Sequence, residues 1–147
     1  MGALYGERHT PVLMALGGPR AQRVAAEHAD VVTIAIGALG PREEAAASVE
    51  AVREAAAGRT IPLALNVSVV GDGMPPGLER FVGASAEELR QHDALAWLPG
   101  EAAAMRKELD RRVRELGLSY VIVNAPFIDA VAPVMAELVP AAAAAQP

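Results

Sequence analysis

Four short apolar runs, each followed by a stretch with helical periodicity, constrain this chain more than any other feature. Val12 to Leu16 lies between Pro11 and Gly17-Gly18. Val31 to Ile36 reads VVTIAI, Ile61 to Val70 reads IPLALNVSVV, and Ser119 to Ala125 reads SYVIVNA. All four read as strands covered on both faces. Strands joined by helical crossovers are parallel, and such crossovers are right-handed. The pattern predicts an α/β fold of four parallel βα units, either a small open sheet or half of a TIM-type (βα)8 barrel.

The helices carry their own signals. Proline suits the first turn of a helix from about Pro19 to Ala29, with Ala21, Val24, Ala25 and Ala29 on one face. After Gly40-Pro41, the residues Ala45, Val49, Val52 and Ala56 recur at helical spacing, and Gly58 is a natural stop. Ser85-Ala86-Glu87-Glu88 forms a capping box that starts a short helix to about Leu95. A longer helix spans about Glu101 to Leu116, with Ala102, Met105, Leu109, Val113 and Leu116 as its buried stripe. Ile128 to Leu138 forms the last helix, with Val131, Val134, Met135 and Leu138 inward.

These elements form one domain over 11–139, preceded by an N-terminal arm at 1–10 and followed by a frayed, Ala-rich tail at 140–147. Aromatic residues are only 3% of the chain against 52% apolar, so the core is packed from Ala, Val, Leu and Ile. The net charge is −5, and the basic residues are scattered among acids, which argues against a nucleic-acid surface. The absence of cysteine excludes disulfides, thiolate metal sites and Cys nucleophiles. No secretion signal is visible, and no apolar run approaches the roughly 18 residues of a membrane span. The expected location is the cytoplasm.

Pro11 to Ile36 resembles a signature stretch of the bacterial luciferase-like monooxygenase superfamily, which comprises flavin- or deazaflavin-dependent (βα)8 barrels. A strand end P-x-x-x-x-x-G-G leads into a helix closing on A-A-x-x-A-D. Here Gly17, Gly18, Arg20, Ala25, Ala26, Ala29 and Asp30 carry the match. Ser85-Ala86-Glu87-Glu88-Leu89 resembles the acidic helix after the family's seventh strand. Leu98-Pro99-Gly100-Glu101 stands where that family has a Leu, Gly and Thr before a helix. Leu116 to Val123 resembles the closing G-x-S-Y strand of the deazaflavin-dependent branch. The resemblance spans Pro11 to Leu138 and implies the C-terminal, four-strand half of such a barrel. Family members run to roughly twice this length or more. The missing half then comes from a second copy, giving a homodimer, or from a separate chain carrying the N-terminal half.

The Gly17-Gly18-Pro19-Arg20 loop is the most informative site. A glycine pair at a strand's C-terminal end lets a phosphate approach backbone N–H groups, and the following helix offers its positive end. Arg20 adds charge. The same residues also suit a tight βα turn with Arg20 solvated. The resemblance implies that this loop lies against the ribityl-phosphate side of the cofactor, with the Ile36-Gly37 turn beside the phosphate; Gly37 equally reads as an ordinary loop glycine. The implied cofactor is FMN or the deazaflavin coenzyme F-420. Asn66 and Ser68 lie two apart on one strand face, and Asn124 ends the fourth strand. Asn66 and Asn124 are the candidates for a small-molecule substrate, and each also reads as a structural tie.

Gly71 to Gly77 has the wrong glycine spacing for a dinucleotide loop, and Pro75-Pro76 removes the donors such a loop needs. His9, His28 and His92 form no metal-ligand pattern, so no metal is expected. No residue stands out as catalytic. The leading expectation is a luciferase-like oxidoreductase or monooxygenase, as a subunit or truncated form, acting on a small organic substrate. A non-catalytic half-barrel that dimerises as a scaffold is the alternative. A cofactor-independent cyclase or isomerase ranks last, because no acid–base constellation supports it.

Overall fold

A computed structural model describes residues 10–138. The expected tail at 140–147 and all but the last residue of the expected arm lie outside these residues, as does His9. The first half of the chain forms β1 (Leu13–Leu16), α1 (Pro19–His28), β2 (Val31–Ile34), α2 (Arg42–Ala55) and β3 (Leu63–Val67). Next come β4 (Val69–Val70), α3 (Leu78–Val82), α4 (Ala86–Gln91) and β5 (Trp97–Leu98). The chain continues with α5 (Ala102–Leu116), β6 (Leu118–Val123), a 3-10 turn (Ala125–Phe127) and α6 (Ile128–Leu138).

The main sheet has four parallel strands in the order β1-β2-β3-β6. The third apolar run does not continue as one strand to Val70. The N–H groups of Ser68 and Val69 both donate to the Ala96 carbonyl, at 2.7 and 3.1 Å. The chain therefore changes partner at Ser68, and β4 pairs with β5 in a separate two-stranded sheet. Two further contacts hold this second pair. The indole of Trp97 donates to the Gly71 carbonyl at 2.8 Å. Gly71 and Gly100 pack backbone to backbone: a Cβ on Gly100 would stand 3.1 Å from the Gly71 Cα.

One face of the main sheet is covered. Val32, Ile34, Leu63 and Leu65 pack with Ala25 and Ala29 from the α1 side and Ala45, Val49 and Val52 from α2. On the other face, the register aligns Ala15, Thr33, Ala64 and Tyr120 in one row. Leu13 and Ile122 lie on that same face by alternation. Thr33 and Ala64, on the inner strands, are buried, whereas Leu13 and Tyr120, on the outer strands, are 52% and 53% exposed. The expectation that all four strands are doubly covered is thus corrected at the outer strands β1 and β6. Each has a free edge among the described residues, and nothing there packs over the second face.

The helices follow their spacing where the core is purely apolar. In α2 and its C-cap, Ala45, Val49, Val52 and Ala56 are all buried. The capping box is complete: Glu88 N–H donates to Ser85 Oγ at 3.2 Å, and Ser85 N–H donates to the Glu88 carboxylate at 2.9 Å. In α1, however, Ala25 and Ala26 are buried while Val24 is exposed. In α6 only Val134 is fully buried, and Met135 and Leu138 face outward. The stripe on α5 is rotated. Met105 and Leu116 are buried as expected, but Arg112 takes an inward position at 1% exposure and Val113 is 55% exposed.

The rotation has an electrostatic cause. Arg112 donates to Glu108 Oε1 at 2.7 Å and to the Trp97 carbonyl at 2.6 Å. Arg42, from the start of α2, reaches the same Glu108 oxygen at 2.6 Å and Asp93 at 2.8 Å. Burial disfavours the Arg112 charge and lowers its pKa despite Glu108. Burial also opposes the Arg42 charge, but its hydrogen bonds to Asp93 and Glu108 outweigh that and raise its pKa. The cluster stitches α2, α5 and the turn after α4 together.

Candidate active site at the ends of the strands

All strands of the main sheet point the same way, so the loops that follow them gather at one end. In barrels that end is where sites form. Gly17, Gly18 and Arg20 follow β1, and Ile36 and Gly37 follow β2, the neighbouring strand. Asn66 lies near the end of β3, and Asn124 directly follows β6. The fold thus brings the sequence-derived candidates to one end of one sheet.

Gly18 is the N-cap of α1 and has φ +86, a conformation that L side chains rarely adopt. Pro19 fills the first helical turn, and Gln22 N–H makes an early helical bond to the Gly18 carbonyl at 3.0 Å. No side chain caps this helix. The space around the two glycines is clear: a Cβ built on Gly17 or Gly18 would meet nothing within 4 Å. Met14, Ala21 and Val24 join Gly17, Gly18 and Arg20 around an open hollow. Such a loop offers backbone N–H groups, a helix dipole and one guanidinium to an anion, which suits a phosphate ester. The hollow is shallow, and no buried charged side chain lines it.

The neighbouring turn is tight. Gly40 N–H donates to the Gly37 carbonyl at 2.8 Å, and a Cβ on Gly40 would come within 3.0 Å of that oxygen. Gly37 is exposed, while Ile36 packs against the core beneath the sheet's covered face. Asn66 is exposed on the uncovered face, in register with Ile122. It makes no pair with Ser68, whose backbone N–H is bonded to Ala96. Asn124 donates from Nδ2 to the Ser68 carbonyl at 3.3 Å, tying the end of β6 to the point where β3 hands over to β4.

Two features escaped the sequence reading. Thr33 sits mid-sheet on the uncovered face, and its buried hydroxyl has no hydrogen-bond partner among the described residues. Its position in VVTIAI was the only signal. Three exposed apolar side chains, Leu39 in the loop after β2, Phe81 in α3 and Ile128 at the start of α6, were also missed. Among the described residues no group of three or more His, Asp or Glu could hold a metal. No helix there is long and apolar enough to cross a membrane.

No family model and no curated protein matches the chain. A solved structure does: that of DmoA from Hyphomicrobium sulfonivorans, with a TM-score of 0.54 at 16% sequence identity. The match covers 86% of this chain and 41% of that one, so this chain spans less than half the length of the structure it resembles. At this identity the likeness establishes the fold: a mixed α/β chain with a four-stranded parallel sheet, matching one part of a larger protein.

Proposed function

We propose that this chain is the C-terminal half of a luciferase-like (βα)8 barrel, a single domain over 11–139, and works as part of a flavin- or deazaflavin-dependent oxidoreductase or monooxygenase. The observation that carries this reading is the open glycine loop at Gly17-Gly18, capped by no side chain and followed by Arg20. The resemblance from Pro11 to Leu138 and the fold shared with part of DmoA point the same way. Backbone N–H groups at the start of α1 bind the cofactor phosphate, and Arg20 adds a charge at its rim. Gly37, on the next loop, leaves room beside it. The bound FMN or deazaflavin supplies the redox chemistry. Asn66 and the exposed side chains of the uncovered face orient a small organic substrate against it.

The alternative, a half-barrel scaffold without cofactor, draws on the shallowness of the hollow and its lack of a buried charge. Titration with FMN and with the deazaflavin coenzyme, followed by absorbance, separates the two. Gly18→Val places a branched side chain at φ +86 and blocks approach to the backbone. Binding should fall by ~10-fold or more, a loss of at least about 1.4 kcal/mol. Arg20→Ala should weaken binding less, with a larger effect at low salt. A thermal-unfolding control distinguishes lost binding from lost fold. Wild-type protein that takes up neither cofactor at tens of micromolar would hand the lead to the scaffold reading.

A further inference from the structure

We propose that the two open edges of the half-barrel are complementary and close on a second copy of this chain. In that assembly β6 and α6 of each copy lie against β1 and α1 of the other. The inference rests on the half-barrel reading above but not on any cofactor.

Three observations carry it. The first is where the exposed apolar side chains lie. One edge presents Val12, Leu13 and Val24; the other presents Tyr120, Ile122 and Met135. Leu13, Tyr120 and Ile122 lie on the uncovered face of the two outer strands, Val24 and Met135 on the helices beside them, and closing a barrel would bury both sets. The second is shape. Between α5 and α6, over β6, a groove of about 370 Å³ is lined mostly by apolar side chains, Val121, Val131 and Leu138 among them, with Asp110, Arg112 and Ser119 as its polar members. A strand and helix laid beside β6 would cover its open side.

The third observation is charge, and it selects a second copy over an unrelated chain. Helix α1 carries Arg20 and Arg23, neither with an ion-pair partner among the described residues; its one acid, Glu27, lies at the far end beside His28. Helix α6 carries Asp129 and Glu137 and no basic residue. Glu137 pairs with Arg106 of the same copy at 3.9 Å, whereas Asp129 has no ion-pair partner among the described residues. Each helix returns antiparallel to its strand, so α1 and a neighbouring α6 run side by side in the same direction. Asp129 then stands at the same end as Arg20 and Arg23. Every copy carries one basic and one acidic flank, so a two-fold pair satisfies both at once. Four strands from each copy make the eight of a closed barrel, and no edge remains.

Closure also completes the candidate site. The second copy's β6 lies next to β1, so its Asn124–Phe127 turn borders the glycine loop and walls the hollow that a single copy leaves open. Each of the two sites is then built from both copies.

The test uses charge exchange on the intact chain without cofactor. Wild-type protein should sediment at twice the 15.2 kDa chain mass. The double variant Arg20→Glu/Arg23→Glu places acid against acid at both interfaces, and Asp129→Arg places base against base. Each variant alone should be monomeric. Mixed in equal amounts they should form a mixed dimer, because both interfaces regain opposite charges. Ile122→Lys, at an already exposed position, should also weaken association by ~10-fold or more. Circular dichroism confirms that the variants fold.

A wild-type monomer would overturn the proposal and favour a different chain as the partner. Variants that stay dimeric alone would place the interface elsewhere. A mixture that remains monomeric, or an oligomer that keeps growing with concentration, would also exclude two-fold closure. All of these outcomes are read from association alone, without cofactor, so they are distinguishable from the outcome of the uptake titration.

Discussion

Arg112 lies in the interior of α5 because the chain supplies two acceptors there, the Glu108 carboxylate and the Trp97 carbonyl. Its Nη1 is buried without a partner among the described residues, so the arrangement there carries an unsatisfied donor. Arg112→Ala would leave the Trp97 carbonyl without its guanidinium donor and weaken the neutralisation of half-buried Glu108. Removing one partner of a buried pair costs about 3 kcal/mol or more. Arg112→Met keeps most of the volume and needs no counter-charge. Glu108 retains Arg42, so the loss should be less than half that of the alanine variant. Urea unfolding of both variants measures this, and equal losses would show that the guanidinium's hydrogen bonds, not packing volume, hold the position. Apolar spacing alone could not locate this residue: Val113 beside it fits a 3.6-residue stripe, and only the three-dimensional meeting of Arg42, Glu108 and Trp97 turns the helix. Gly18 was legible, because a glycine between an apolar strand and Pro19 announces a backbone that L side chains avoid. The clear space around it was visible only in the structure.

At the scale of elements, the link between α2 and α5 depends on Asp93, which has φ +47 in the turn after α4. It accepts from Arg42 at 2.8 and 3.1 Å and from Arg111 at 3.1 Å. The Arg42 hydrogen bonds, despite partial burial, hold its carboxyl below the usual range. A carboxylate with a lowered folded pKa stabilises the fold fully above its unfolded value of about 3.9 and loses that contribution as pH falls through the folded value. Asp93→Asn, which tolerates the positive φ, should lower stability at neutral pH and flatten the acid limb of the stability curve. Urea midpoints from neutral pH down to about 2 provide the measurement, and an unchanged acid limb would remove Asp93 from the account. The helix most legible in the sequence, α2, has a core side without charge, and its Ala45, Val49, Val52 and Ala56 obey simple periodicity. The capping box at Ser85 was equally readable, since its two bonds are local. Strand β5 was not. Two residues within the apolar run from Ala94 to Leu98 read as well as a helix end, and only the change of partner at Ser68 makes them a strand.

For the whole molecule, the unresolved balance is between a covered and an uncovered sheet face. The core beneath the covered face is built from small side chains, Ala25, Ala29 and Ala45 among them. The opposite face leaves Leu13, Tyr120 and Ile122 in water. Burying that face on association couples stability to concentration, because the associated state competes with two unfolded chains rather than one. If the barrel closes from two copies and the single half is unstable, each tenfold rise in protein concentration should add about 1.4 kcal/mol to the apparent stability. A half that folds alone would show no such dependence. Hydrogen exchange gives the spatial counterpart. The amides of β2 and β3, inside the sheet, should be protected at every concentration at which the protein is folded. Those of β1 and β6 should gain protection only as association proceeds, since their outer edges pair with no strand among the described residues of one copy. Uniform protection of all four strands at low concentration, with a melting midpoint that does not move, would identify a self-sufficient open sheet. The exposed face would then be a surface for ligand rather than for a second half.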